Sequence, residues 1–273
     1  MKKRWKKSDV ALLTLVVLFV VGCEDDTGPV SPGVDPLYPT TIVPLSPADL
    51  TALTNELHSR FPRVCSDLDE YGNPVRRNGL CFSTKGVGVD PDAPTAPLVD
   101  AAKAKIAEMS DFTGVLDPEG LVVRRIDVSR PTEFSKGFLT IRFENQCYEG
   151  LEVLSTQVMA WADSLGLIGV TGRHFLSIHL PKKRISKIIA KQLLAGTEIR
   201  WWDAVMREHT YIVEIDSFID DPVLVIHPLE VIDTIELRYV WQFKVGEGDF
   251  YNWHIYIDVI TGEFLGTRQL FNT

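Results

Sequence analysis

The feature that most limits the fold is a pair of alternating apolar stripes near the C-terminal end. Tyr239, Trp241, Phe243 and Val245 fall on every second residue and form one face, and Trp253, Ile255, Ile257 and Val259 form another. A period of two belongs to extended strands, whose side chains point alternately to opposite faces. Asn252, His254, Tyr256 and Asp258 lie opposite the second stripe. The same alternation occurs upstream. Leu139, Ile141 and Phe143 alternate with Thr140, Arg142 and Glu144, and Val158, Ala160 and Ala162 with Gln157, Met159 and Trp161. Gly150 and Gly166 mark turns between these strands. Apolar sheet faces need a cover, and three segments have helical spacing. Ser46 is a good N-cap with Pro47 at N1 and Asp49 at N3, followed by Leu50, Leu53 and Leu57 and a stop before Pro62. Leu98, Ala102, Ile106 and Met109 share a second face, while Lys103, Lys105 and Glu108 point outward. Ile185, Ile188, Ile189 and Leu193 make a third stripe, stopped by Gly196. Sheets covered on one side by helices give the class α+β.

The N-terminal end has a different character. Lys2, Lys3, Arg4, Lys6 and Lys7 precede a twelve-residue apolar run, Val10 to Val21, interrupted only by Thr14. A helix needs roughly 20 apolar residues to span a bilayer, so this run is short. A basic start with a short apolar core reads as a secretory signal. Its end, Val20-Val21-Gly22-Cys23, resembles the lipobox of bacterial lipoproteins. That resemblance implies cleavage before Cys23, lipidation of its thiol, and anchoring of the mature chain to a membrane. Several acyl chains on one residue anchor firmly, at about 0.8 kcal/mol per buried CH₂. The expected location is the extracytoplasmic side of the cell envelope, at the outer membrane if the organism has two membranes. The whole chain has 28 basic and 37 acidic residues; losing residues 1–22 removes five and one, leaving 23 against 36 and a formal net charge of −13. Such a surface repels phosphate backbones, so no nucleic-acid partner is expected.

Residues 23–47 carry six prolines after Glu24-Asp25-Asp26 and read as a tether. Residues 48–96 form an extension containing the first helix and Cys65 and Cys81, which flank turn-rich sequence. In an exported chain these two cysteines are expected to form a disulfide. Cys147 remains over and reads as a small buried hydrophobe rather than a reactive thiol.

The remaining residues resemble a known arrangement. A short helix ending in "FTGV", then "LVVRRIDVS", then "IRFENQCYEGLEVLSTQVMAWADSLGLIGVTGRHF" are similar to the FTP propeptide module of thermolysin-type and fungalysin-type metalloproteases. Phe143, Gln146, Gly150, Val153, Gly166 and Gly172 fall at its strand, hairpin and strand-end positions. Ile185 to Phe271, with "LRYVWQFKV" and "WHIYIDVITGEFL", resembles the PepSY module that follows it. In the series Asp258, Thr261, Gly262, Glu263, the carboxylate can accept from turn amides, and Gly262 permits a positive φ. The resemblance implies two successive cystatin-like modules, each an antiparallel sheet with a helix: FTP-like over 97–182 and PepSY-like over 183–273. No HExxH pair occurs among His58, His174, His179, His209, His227 and His254. The expectation is therefore a propeptide-like chain without its protease, and not an enzyme.

Other chemistry finds little support in the residues. His174 and His179, five apart in an expected strand, would face opposite ways and form no zinc pair. Asp90-Pro91-Asp92 and Asp220-Asp221-Pro222 lack EF-hand spacing. Neither a phosphate loop nor a G-x-S-x-G is present, so no catalytic, metal or cofactor residue is assigned. Trp201 and Trp202 are the candidate partner-binding residues, since adjacent aromatics in an extended segment cannot both enter one core. The bland alternative puts one ring in the core and the other flat on the surface. Two functions are compatible with these readings. One is an envelope lipoprotein that binds an extracytoplasmic metallopeptidase in trans and inhibits, chaperones or regulates it. The alternative is a structural or adaptor lipoprotein that uses the same fold for another envelope partner or ligand.

Overall fold

A computed structural model of the chain describes residues 37–62, 66–76, 95–129, 138–163, 166–182, 184–202, 206–247 and 251–270. The signal segment, Cys23, both cysteines of the expected 65–81 disulfide and the Asp90–Asp92 pair lie outside them.

The first core forms where two helices cover an antiparallel sheet. Helix α1 (Pro47–Arg60) starts as its sequence requires, with the Ser46 side chain accepting the Asp49 N–H and proline in the first turn. It follows β1 (Thr40–Ile42) and leads into the small hairpin β2 (Ser66–Leu68) and β3 (Pro74–Arg76). Helix α2 (Ala96–Glu108) and the single turn α3 (Ser110–Thr113) come next. The sheet has the order β4 (Val123–Ser129), β5 (Phe138–Phe143), β8 (Met159–Asp163), β9 (Gly166–Thr171). Between β5 and β8 lies the short hairpin of β6 (Cys147–Tyr148) and β7 (Leu151–Val153), turned by Glu149 and Gly150, both at positive φ. Leu139, Ile141, Phe143, Val158 and Ala160 meet Ala102, Ile106 and Met109 of the α2 segment. Leu57 and Phe61 of the α1 segment enter the same core, so the extension read as separate is packed into the first sheet.

At Gly172, just past β9, φ is +100° and an added Cβ would sit 2.2 Å from the Gln157 carbonyl oxygen. Backbone cannot yield as a flexible side chain can. Gly172→Ala is expected to cost roughly 2–3 kcal/mol in strain and displaced backbone. Chemical denaturation checks this; an unchanged midpoint would mean that the β8–β9 sheet end relaxes freely.

The second core has a larger sheet. Helix α4 (Lys187–Leu194) precedes the hairpin β10 (Glu198–Trp202) and β11 (Glu208–Ile212). Strands β12 (Val223–Val231), β13 (Thr234–Glu247), β14 (Tyr251–Asp258) and β15 (Phe264–Leu270) then pair antiparallel in sequence. The two apolar stripes of β13 and β14 share a face, because Trp241, Phe243 and Val245 lie directly across from Ile257, Ile255 and Trp253. Ile185, Ala190, Leu194, Ile199 and Val213 close over them.

The α4 stripe departs from expectation. Ile188 and Leu193 are 57% and 53% exposed, whereas Ala190 and Leu194 are fully buried. Ser186 caps the helix by accepting the Ile189 N–H at 3.3 Å. That cap places Ile185 just before the helix and Ala190 on its second turn, a hydrophobic-staple spacing that rotates Ile188 outward.

Two long-range pairings join the segments. β7 runs parallel to β12, Glu152 beside Val225 and Val153 beside Ile226, so the β6–β7 hairpin, inserted between strands of the first sheet, widens the second sheet. β1 pairs antiparallel with β13, Thr40 beside Leu237. Residues 37–47, read as tether from their prolines, thus belong to the fold, and Tyr38 is buried in it. The class is α+β.

Candidate functional site

The partner-binding candidates sit on β10. Trp201 is half-buried against the second core, 4.9 Å from the Trp253 ring and stacked on His209 at 5.2 Å. Tyr211 stacks on the other part of this group, 5.4 Å from Trp253. Trp201 therefore seats the hairpin on the sheet. The Trp202 backbone belongs to β10, and its side chain lies outside the described residues.

The Asp258 turn closes around a fully buried carboxylate. Oδ1 accepts the N–H groups of Ile260 and Thr261 at 2.7 and 2.9 Å, and Gly262 adopts φ +71° as its position requires. Oδ2 accepts from the Tyr38 hydroxyl at 2.7 Å and from Arg238 Nη1 at 3.1 Å. Burial, then the Asp258 charge, raise the Tyr38 pKa, so its hydroxyl stays a donor. Burial disfavours the Arg238 charge, but Glu236 and Asp258 outweigh it and raise its pKa overall. The turn was legible from 258–263, whereas Tyr38, 220 residues away, carried no local signal of its role. Every group here is satisfied, which makes this an anchor that ties β1 to β13 and β14.

The face of the large sheet opposite α4 holds the residues that alternate with the core stripes. Tyr256 is buried there and stacks on His227 at 4.4 Å, with an interplanar angle of 18°. His227 Nδ1 is buried and has no hydrogen-bond partner among the described residues, and neither do Gln242 Oε1 and Asn252 Oδ1 on the same face. Burial, and after it the Arg268 guanidinium, lower the His227 pKa from the ordinary 6.5 to about 4. An unfolded chain takes up this proton near 6.5 and the folded chain only near 4, so the unfolded state binds more protons between those values. Stability from this group is complete above pH 6.5, falls as acid is added and levels off below 4, by on the order of 3 kcal/mol. His227→Phe keeps a ring on Tyr256 and should flatten that part of the curve. Urea melts at pH 7, 6, 5 and 4 check it, and parallel curves for the two proteins would refute the assignment.

Other expected residues land elsewhere. Cys147 is exposed on the two-residue strand β6, not buried, because β6 lies at the rim of the large sheet and, among the described residues, pairs only with β7. His174 and His179 lie in the irregular segment after β9, not in a strand. The His174 N–H donates to the Thr113 carbonyl, and the His179 N–H to the Thr40 hydroxyl. Asp220 and Asp221 reach Lys244 and Lys187 at 3.6 and 3.7 Å as surface ion pairs. Among the described residues no three His, Cys, Asp or Glu side chains converge as metal ligands would, and no helix is long and apolar enough to cross a membrane.

Among the described residues, one rim of the large sheet is strand β15, whose backbone is hydrogen-bonded to β14 on one side and ends the strand order on the other. It runs seven residues, against two for β6 at the far rim.

No protein-family model matches the sequence, and no curated protein matches it. Among solved structures, the chain is similar to the C-terminal domain of Bacillus megaterium YpeB, with a TM-score of 0.35 and 12% identity, over 84% of this chain and 100% of that one.

Proposed function

We propose that this chain is a lipid-anchored protein of the cell envelope that works by binding, docking in trans to an extracytoplasmic metallopeptidase that it inhibits, chaperones or regulates. The observation that carries the reading is the seven-residue rim strand β15. Its outer row of N–H and C=O groups offers a template for strand addition, in which main-chain bonds supply affinity and alternate side chains supply selectivity. The resemblance of 101–174 to FTP and of 185–271 to PepSY propeptide modules supports a peptidase as the partner. Cys23 supplies the anchor in this reading.

Titrating the full chain, in detergent, against thermolysin-like enzymes of the same organism tests the partner. Lowered activity or raised refolding yield of one enzyme is expected, and Thr267→Lys, which places a charge on the rim strand, should abolish it without shifting the melting temperature. No change in activity or yield across the set removes the reading. The anchor has its own test. A palmitate analogue should label the wild type and not Cys23→Ala; an unlabelled wild type that remains in the soluble fraction rules out lipidation.

A further inference from the structure

A recess of about 410 Å³ opens on the face of the large sheet that carries Tyr256. Its floor is the buried Tyr256 ring with His227 stacked beside it. Leu154, Leu229 and Leu265 supply apolar wall, and Arg268 and Ser155 stand at the rim. Arg268 bonds to Tyr256, and no carboxylate of the described residues forms an ion pair with it. Ser155 holds φ +59°, a conformation that a side chain adopts only when its surroundings impose it, and one that collects at binding sites. Gly266, directly across from Tyr256, has no side chain, and nothing lies within 4 Å of where its Cβ would be. Space is therefore left open beside the strand at Gly266.

We propose that this recess binds a carboxylate carried on a short aliphatic body, about the size of one amino-acid residue. The Arg268 fork matches the two oxygens of a carboxylate. The Ser155 hydroxyl supplies a further donor. Arg268, hydrogen-bonded to Tyr256 but ion-paired with no carboxylate of the described residues, suits a monoanion. Glu152, whose field reaches both Tyr256 and His254, disfavours a dianion such as phosphate. The three leucines select an aliphatic body, and the volume lies within the usual range for small-ligand sites. The proposal does not depend on a peptidase docking at β15.

N-acetyl-L-leucine, acetyl-Gly-Gly-Leu and the C-terminal amide of each are titrated into the full chain, followed by amide NMR shifts. Saturable shifts at Ser155, Gly266 and Arg268 are expected, with free acids binding at least about tenfold more tightly than amides. Arg268→Gln should lose about the same factor for the acids and nothing for the amides. Comparable binding of both acids identifies a peptide C-terminus as an acceptable source; binding of the small acid alone identifies a free metabolite. Acids and amides that bind alike, inorganic phosphate that competes as well as the acids, or shifts confined to other residues each overturn the proposal. The acid–amide comparison uses the wild type alone and stands even if the variant does not fold.

Discussion

Asp258→Ala should lower the free energy of unfolding by roughly 3–5 kcal/mol, because it leaves a largely buried arginine short of a partner. Four donors converge on this carboxylate: the Tyr38 hydroxyl, Arg238 Nη1, and the amides of Ile260 and Thr261. Alanine satisfies none of them, and the Arg238 side chain, 15% exposed, retains only Glu236. Two controls divide the effect. Asp258→Asn keeps an acceptor for the turn amides while removing the charge that faces Arg238, so it should recover part of the loss. Tyr38→Phe removes the hydrogen bond to the Asp258 carboxylate and the acceptor of the Tyr239 N–H, and should cost about 2–3 kcal/mol. The order Asp258→Ala, then Asp258→Asn, then wild type in urea midpoints is the expected result. An alanine variant within about 1 kcal/mol of wild type would mean that water reaches the turn and replaces the carboxylate. The variant should also free β1, since Tyr38 holds that strand to the sheet through Asp258. Faster proteolysis within residues 37–43, without equal loosening of α1, would show it.

Local patterns served well where one element decides its own form. The Ser46 cap, the start of α1 and the α2 face of Ala102, Ile106 and Met109 follow from spacing and capping chemistry. The same holds for the Gly150 turn and for the Asp258–Gly262 hairpin. Half of the α4 stripe departs from its spacing: Ile185 and Ile189 pack on the core, while Ile188 and Leu193 face outward, although the information was present. Ser186 is as good a cap as Ser46, and starting the helix there makes Ala190 and Leu194 the inward pair. What the sequence withheld was pairing at long range. Nothing around Thr40 indicates Leu237, and nothing around Glu152 indicates Val225, because a ladder's register depends on both strands. The prolines near Thr40 are compatible with an edge strand as well as with a spacer, and only the partner decides. Cys147 looked like core for the same reason: its exposure depends on β6 lying at a rim. The recess beside Tyr256 escaped because its residues come from the turn after β7 and from β12, β14 and β15, and none of these runs carries a motif.

Trp253→Ala is expected to cost about 3–5 kcal/mol, the range for removing a large buried aromatic, and to do so unevenly across the molecule. The Trp253 ring is 1% exposed and lies between the sheet and the β10–β11 hairpin, where it meets Trp201 and Tyr211. Its neighbours on β14, Ile255 and Ile257, keep their own contacts with Phe243 and Trp241 in the same core. The cavity should therefore loosen the hairpin first, while β12 to β15 stay paired. Hydrogen exchange at the β10 and β11 amides should accelerate by a larger factor than at β13, and near-ultraviolet circular dichroism should lose the signal of the packed indoles. Trp201→Ala should produce a milder form of the same pattern, because that ring is only half-buried. If exchange instead rises equally in β10 and β13, the hairpin and the sheet form a single cooperative unit. In that case Trp201 and its neighbour on β10 are fixed in place by the whole second core, and a partner would meet a rigid surface there.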